Sequence, residues 1–245
     1  MPSHIGTPFW NNDLLKSHLE EFSELYKQRP GLDDNEGGMQ SSVLYFAWFL
    51  AKELKPTTII ESGVWKGMST WFFEQACPEA VIYSIDPCPQ FRSTYTSKKV
   101  IYLSSDMITH NWRSLVEDKE NTLCIIDDHQ NDLKRLQYCS KVGFKHVFLE
   151  DNYPPNIGDC YSIKKAFCDK TIVLNNLPIY YQLNNLIEVY AEFPPVFKSE
   201  LTRWGDRWDS YDTEEPLYTK IEAPYLNIYH KEVANYTWPC YVKLV

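Results

Sequence analysis

Residues 57–87 read TTIIESGVWKGMSTWFFEQACPEAVIYSIDP, and the rest of the chain is organised around them. A β-branched run, Thr57-Thr58-Ile59-Ile60, ends in Glu61. Gly63 and Gly67 then frame a turn, and Met68 to Cys77 has the make-up of a helix that Pro78 stops. A second strand, Val81 to Ile85, ends in Asp86. Strand, glycine turn, helix, strand and acid is the wiring of a nucleotide-binding βαβ unit. Without a Cβ, Gly63 and Gly67 let the backbone turn sharply and lie against a ligand. Asp86, at the tip of the second strand, is placed to accept hydrogen bonds from a ribose diol. The spacing is E-x-G-x-x-x-G-x-S. It is neither the G-x-G-x-x-G dinucleotide fingerprint nor a G-x-x-x-x-G-K-[ST] phosphate loop.

Upstream, Leu14, Leu15, Leu19, Phe22, Leu25 and Tyr26 predict a helix over 11–27, with Asp13 as its cap, ended by Pro30-Gly31. A polar loop, 32–40, leads into a strongly apolar helix over 41–54 that packs on the sheet. Downstream, strands are expected at 100–103, 123–126 and 144–149, with helices at 112–117 and 133–142 between them. This alternation predicts one α/β domain over 1–245 with a Rossmann-like, doubly wound, mostly parallel sheet of seven strands. A helical extension occupies 1–36. In the last third, Ser162 to Cys168 and Tyr180 to Phe193 read as helices, and the aromatic-rich 195–224 as an insertion or lid. Tyr225 to Tyr229 and Cys240 to Leu244 read as a terminal antiparallel hairpin.

Two of the strands finish in acids, Asp127-Asp128-His129 and Glu150-Asp151-Asn152, on the edge where an α/β sheet binds its ligand. Carboxylates crowded there repel one another unless a cation sits between them. An oxygen-rich set suits a hard ion, Mg²⁺ or Mn²⁺, and no Cys/His cluster suggests zinc.

The glycine turn followed by Asp86 resembles motif I of the class I S-adenosylmethionine (SAM) methyltransferases. With both acidic strand ends, the resemblance extends over roughly residues 37 to 155 and becomes one to the metal-dependent O-methyltransferases. Asp128-His129 and Asp151-Asn152 are similar to the Asp-His and Asp-Asn pairs of catechol O-methyltransferase. Glu150-Asp151 is similar to the paired acids of the cephalosporin hydroxylase-like and macrolide sugar O-methyltransferase families. The resemblance implies SAM bound by Glu61, Gly63, Gly67, Ser69 and Asp86. It places Ser105 or Asp106 at the adenine and Gly37, Gly38 and Met39 in a segment closing over the cofactor. It implies Mg²⁺ (or Mn²⁺) held by Asp127 or Asp128 together with Glu150, Asp151 and Asn152.

Catechol O-methyltransferase carries a lysine two residues after the histidine of its Asp-His pair, where this chain has Asn131. His129, beside the metal acids, replaces it as the candidate base because an imidazole is the side chain suited to proton transfer near neutral pH, with Lys134 second; Asp128 completes the catalytic pair. Trp204, Trp208 and Tyr211, with Arg203, Asp206 and Arg207 among them, have the composition of a lid that stacks on a ring. The expected acceptor is a hydroxyl of a small molecule or glycan, a sugar favoured over a phenol. The alternative is a non-catalytic module of the same fold that binds a partner protein.

The formal net charge of -9 argues against a nucleic-acid backbone as partner. The longest apolar stretch, 43–51, is too short to span a bilayer, so no membrane partner is expected. Seven cysteines, odd in number and without a C-x-x-C pair, suit reduced thiols in the cytoplasm. A homo-oligomer is compatible with all of this.

Overall fold

The computed structural model describes residues 4–31, 35–158, 161–171, 173–174, 177–220, 232 and 234–245. Its N-terminal part holds β1 (His4–Ile5), α1 (Asn12–Ser17), α2 (Leu19–Tyr26) and α3 (Ser41–Leu54). The helix expected over 11–27 is two helices, interrupted at His18. Its cap is Asn11, whose side chain accepts from the Leu14 amide at 2.9 Å, and not Asp13. Helix α3 runs over the expected residues and ends at Lys55, which is left-handed (φ 48°) ahead of Pro56. Ser41 through Ala51 are all buried, as an apolar surface on every side of a helix requires.

The core unit then follows as the sequence predicts: β2 (Thr58–Ser62), α4 (Met68–Ala76), β3 (Val81–Ile85), β4 (Ile101–Leu103), α5 (Trp112–Leu115), β5 (Thr122–Ile126), α6 (Asp132–Val142) and β6 (His146–Leu149). Beyond it come α7 (Ile163–Cys168), the small ladder of β7 (Val173–Leu174) with β8 (Leu177–Pro178), α8 (Ile179–Asn184), β9 (Ile187–Glu192), β10 (Leu201–Thr202), β11 (Ala234–Tyr236) and β12 (Cys240–Leu244).

The main sheet runs β1-β9-β12-β6-β5-β2-β3-β4. Strands β2 to β6 pair in parallel, and β12 lies antiparallel between β6 and β9. This is the Rossmann-like architecture with an antiparallel C-terminal strand that the resemblance implies. Two expectations are corrected. The sheet has eight strands, because the two-residue β1 adds itself to the outer side of β9. The helix expected over 180–193 stops at Asn184, and Ile187–Glu192 is the strand β9 that pairs with β12. Burial between β1 and β12 overrides the local helical spacing, and the β-branched Ile187 and Val189 suit that strand. Of the expected hairpin, Cys240–Leu244 is β12, whereas 225–229 lies outside the described residues.

Alternation along the strands sends side chains into two cores. Ile59, Leu123, Ile125 and Phe148 pack under α2, α3 and α4 with Phe22, Trp48 and Phe72. Ile60, Cys124, Ile126, Val147 and Leu149 face the α5 to α8 side with Trp112, Leu136 and Ile163. A sheet covered on both faces leaves its carboxyl edge as the open working surface. Chain order changes direction there: β3 and β4 lie on one side of β2, β5 and β6 on the other. No helix among the described residues is long and apolar enough to cross a membrane.

Candidate active site

The crevice opens where β2 and β5 part. Hydrogen bonds continue past the strand ends, from Gly63 N to Ile85 O (3.0 Å), Asp127 N to Ser62 O (2.8 Å) and Glu150 N to Ile126 O (3.0 Å). Gly63, Asp127 and Glu150 therefore stand side by side on the sheet edge. Gly63 has φ +96°, and a Cβ built there would lie 1.9 Å from the Asp127 carbonyl oxygen. Only glycine fits, on both counts.

A cavity of about 380 Å³ fills this crevice. On the β2, β3 and β4 side its wall includes Gly37, Gly63, Trp65, Asp86, Cys88, Phe91 and Asp106; from the β5 side come Asp127, Asp128, His129, Gln130 and Arg135. Of the residues implied for SAM, Gly63, Asp86, Asp106 and Gly37 line it. Asp86 is gripped by the turn itself: Oδ2 accepts from the Val64 and Trp65 amides (3.1 and 2.9 Å) and Oδ1 from Cys88 (2.7 Å). The left-handed backbone at Trp65 (φ 48°) belongs to that grip.

The other implied cofactor residues sit elsewhere. Glu61 is fully buried beneath the turn, accepting from the hydroxyls of Ser69, Thr70 (2.6 Å) and Ser84 (2.6 Å). Burial pushes its carboxyl up to about 7, against the pull of those hydroxyls. Glu61 and Ser69 thus lock α4 to β2 and β3 rather than line the cavity. Gly67 lets the chain pass close to Tyr95, whose carbonyl oxygen a Cβ would meet at 2.3 Å. Met39 is in the core beside α3. Ser105 bonds His110 at 3.1 Å at the surface, and Gly38 packs on Asn35.

At the acidic ends the structure separates two neighbours that sequence leaves equivalent. Asp128 takes the Ser62 hydroxyl (2.6 Å) and Arg135 Nη2 (2.9 Å). The same guanidinium also reaches both oxygens of Asp106, at 2.7 and 3.0 Å, and holds that carboxyl below its ordinary value despite partial burial. Asp127 turns instead to His129 and Asp151, and ligand atoms of these three residues all lie within 4.8 Å of one another. His129 Nδ1 is 3.1 Å from Asp151 Oδ2, the half-exposed His129 standing in a left-handed backbone (φ 52°).

The charges around Asp127 explain its chemistry. Burial and the neighbouring Asp151 push its carboxyl up to about 8. Glu150, fully buried where Asp127 is half-buried, is raised well above its ordinary value by burial and by Asp151. Burial would raise Asp151 as well, but hydrogen bonds with Glu150 and His129 and the charge of Arg203 hold it below the ordinary range. Arg203 Nη2 sits 2.8 Å from Glu150 Oε1, and Nη1 3.4 Å from Asp151 Oδ1.

Asn152, implied as a ligand, is committed to the fold. Its Oδ1 accepts from the Lys164 amide at the start of α7 (2.9 Å), and its Nδ2 donates to the Tyr190 hydroxyl (2.9 Å). The residues present fit a hard divalent ion: two carboxylates and an imidazole converge, and their mutual repulsion is what a cation relieves. Sequence reasoning missed Arg135 and the charge role of Arg203. It also missed Trp65 and Phe91, whose rings pack 5.0 Å apart at the cavity rim. An aromatic inside a glycine turn was the one available signal for Trp65.

Strand order, crevice and acids together define the class, a doubly wound α/β fold with an acid-lined crevice at its switch point. No protein-family model matches the sequence, and no curated protein matches it either. Solved structures of similar fold include the O-methyltransferase TomG of Streptomyces achromogenes, involved in tomaymycin synthesis and in complex with SAM. It is 10% identical, with 71% of this chain and 83% of that one covered and a TM-score of 0.42. The O-methyltransferase from Bacillus cereus in complex with S-adenosylhomocysteine is 12% identical, covers 58% and 67%, and scores 0.34. The Podospora anserina methyltransferase PaMTH1, bound to S-adenosylhomocysteine, is 15% identical, covers 63% and 81%, and scores 0.39.

Proposed function

We propose that the protein is a SAM-dependent, divalent-metal-dependent O-methyltransferase acting on a hydroxyl of a small molecule or glycan, a sugar favoured over a phenol. The observation that carries this reading is the shared wall of one cavity. The glycine turn with Asp86 lies on one side; on the other, Asp127 touches Gly63 and His129 lines the same cavity. A methyl donor on the turn and a hydroxyl at the acids would be held next to each other, which is the main contribution such a site makes to transfer.

Asp86, fixed by three backbone amides, keeps one lone pair, on Oδ1, for a ribose hydroxyl. Asp127, His129 and Asp151 would hold Mg²⁺ or Mn²⁺. When bound, such an ion lowers the pKa of the acceptor hydroxyl and orients it. His129 has two uses that exclude each other at Nδ1. If Nδ1–H donates to Asp151, Nε2 carries the lone pair of a general base; if Nδ1 ligates the ion, the base lies elsewhere. The favoured sugar acceptor draws support from Trp204, half exposed beside Tyr153 next to the acids.

Calorimetric titration of SAM and of S-adenosylhomocysteine, each with and without Mg²⁺, tests the reading. Micromolar binding of both, with Mg²⁺ then required for turnover on sugar and phenol acceptors, is expected. Absence of binding under every condition removes the methyltransferase assignment and leaves the partner-binding module.

A further inference from the structure

Arg203 is carried on a tight turn. Gly205 N bonds Thr202 O (2.9 Å), Thr202 N bonds Asp206 O (2.8 Å), and Asp206 N bonds the Thr202 hydroxyl (3.1 Å). The fully buried Thr202 anchors this turn through β10, which pairs with β11. Its tip presents Arg203 to the acids, while Trp204 stays outside, edge-on to Tyr153 at 4.8 Å. The guanidinium takes Glu150 and the Oδ1 side of Asp151. It leaves the Oδ2 side of Asp151, Asp127 and His129 as the converging group.

We propose that Arg203 is a built-in counter-cation of the metal site: it occupies the inner half of the acid cluster, keeps Glu150 out of the ligand set, and sets the affinity for a single divalent ion. This rests on the metal reading given above. Glu150, Asp151 and the half-buried Asp127 bring together more carboxyl groups than one divalent ion in a turnover site needs. Arg203 removes the excess from the side away from the cavity. Because the guanidinium and the ion both act on Asp151, each weakens the other's hold, and by linkage the ion loosens the turn as much as the turn loosens the ion. Arg203 is thus a positioning residue, acting through Asp151 and Glu150.

The test is titration of the full chain with Mn²⁺, reading free ion by electron paramagnetic resonance, on the wild type, Arg203→Met, Arg203→Lys, Glu150→Gln and the double variant Arg203→Met/Glu150→Gln. A unit charge this close to a divalent ion changes its affinity by about tenfold or more, even in a well-screened site. Arg203→Met is expected to bind Mn²⁺ more tightly by that factor and Glu150→Gln more weakly. The double variant should return close to the wild type, and Arg203→Lys should stay near it. If Arg203 only braces the turn, Arg203→Met and Glu150→Gln both weaken binding and the double variant is no better than either. That pattern overturns the proposal. A wild type that binds no Mn²⁺ overturns the metal reading itself, and this proposal with it.

Discussion

The two sides of the crevice hold their acids by different means. On the glycine-turn side, Asp86 is satisfied by amides of its own neighbourhood, Val64, Trp65 and Cys88. On the other side, Asp127, Glu150 and Asp151 are balanced by one another, by His129 and by Arg203, more than fifty residues further along the chain. A carboxylate held by fixed backbone amides is preorganised. On the acid-rich side Asp127 and Glu150 are raised by burial and by Asp151, which His129 and Arg203 hold low, so the group as a whole is responsive to a cation. The first arrangement makes a cradle; the second makes a place for chemistry.

Gly63 is where the two sides touch, so its replacement is the largest way to break the comparison. Gly63→Ala puts a methyl group on the Asp127 carbonyl and forces an unfavourable φ. A loss of about 4 kcal/mol is expected in urea unfolding, the sum of backbone strain and overpacking.

Glu61, the buried acid beneath the glycine turn, gives the next effect. Its carboxyl is raised from 4.5 to about 7, so the folded protein keeps a proton that the unfolded chain has released. Its contribution is complete below pH 4.5 and is lost as the pH rises through 7, a fall on the order of 3 kcal/mol. The slope of stability against pH in this window should be shallower in Glu61→Gln by that amount. Equal slopes would mean that Glu61 stays ionised in the fold.

Asp151→Asn probes the responsive side. Metal-dependent turnover should fall by at least about 100-fold, while SAM binding at the turn stays within a few-fold of the wild type. Loss of both together would mean the two sides are one cooperative unit rather than two.

The smallest effect is expected at Asn131. It stands where catechol O-methyltransferase has its lysine base, yet its Oδ1 caps α6 by accepting from Lys134 N at 3.0 Å. Asn131→Ala should cost about 1 kcal/mol of unfolding free energy in a urea titration and leave SAM and Mn²⁺ binding unchanged.

Much of this was legible in the sequence because it is local. The βαβ unit, the four strand ends that carry acids, and the boundaries of α3 and α6 follow from periodicity, glycine, proline and caps within a few residues of one another. The strand at Ile187–Glu192 was not legible. Its pairing partner, β12, lies some fifty residues downstream, and its run Tyr180 to Phe193 suits a helix until that partner is present. Likewise Arg203 and Arg135 carry no local sign of their roles. An arginine among aromatics or on a helix is ordinary until the fold sets it against Glu150 or Asp128.

The sequence alone determined the class of fold, the crevice and the presence of two groups of acids at its rim. These depend on short-range hydrogen bonding and on burial patterns that each segment carries itself. Only the tertiary structure decided which acids face one another. Asp127 rather than Asp128 turns to Asp151, Asn152 turns to Tyr190 and α7, and Glu61 turns inward to Thr70 and Ser84. The physical reason is that a carboxylate's role is set by the charges and donors within a few ångströms of it. In this crevice those come from strands, a helix and a turn far apart in the chain.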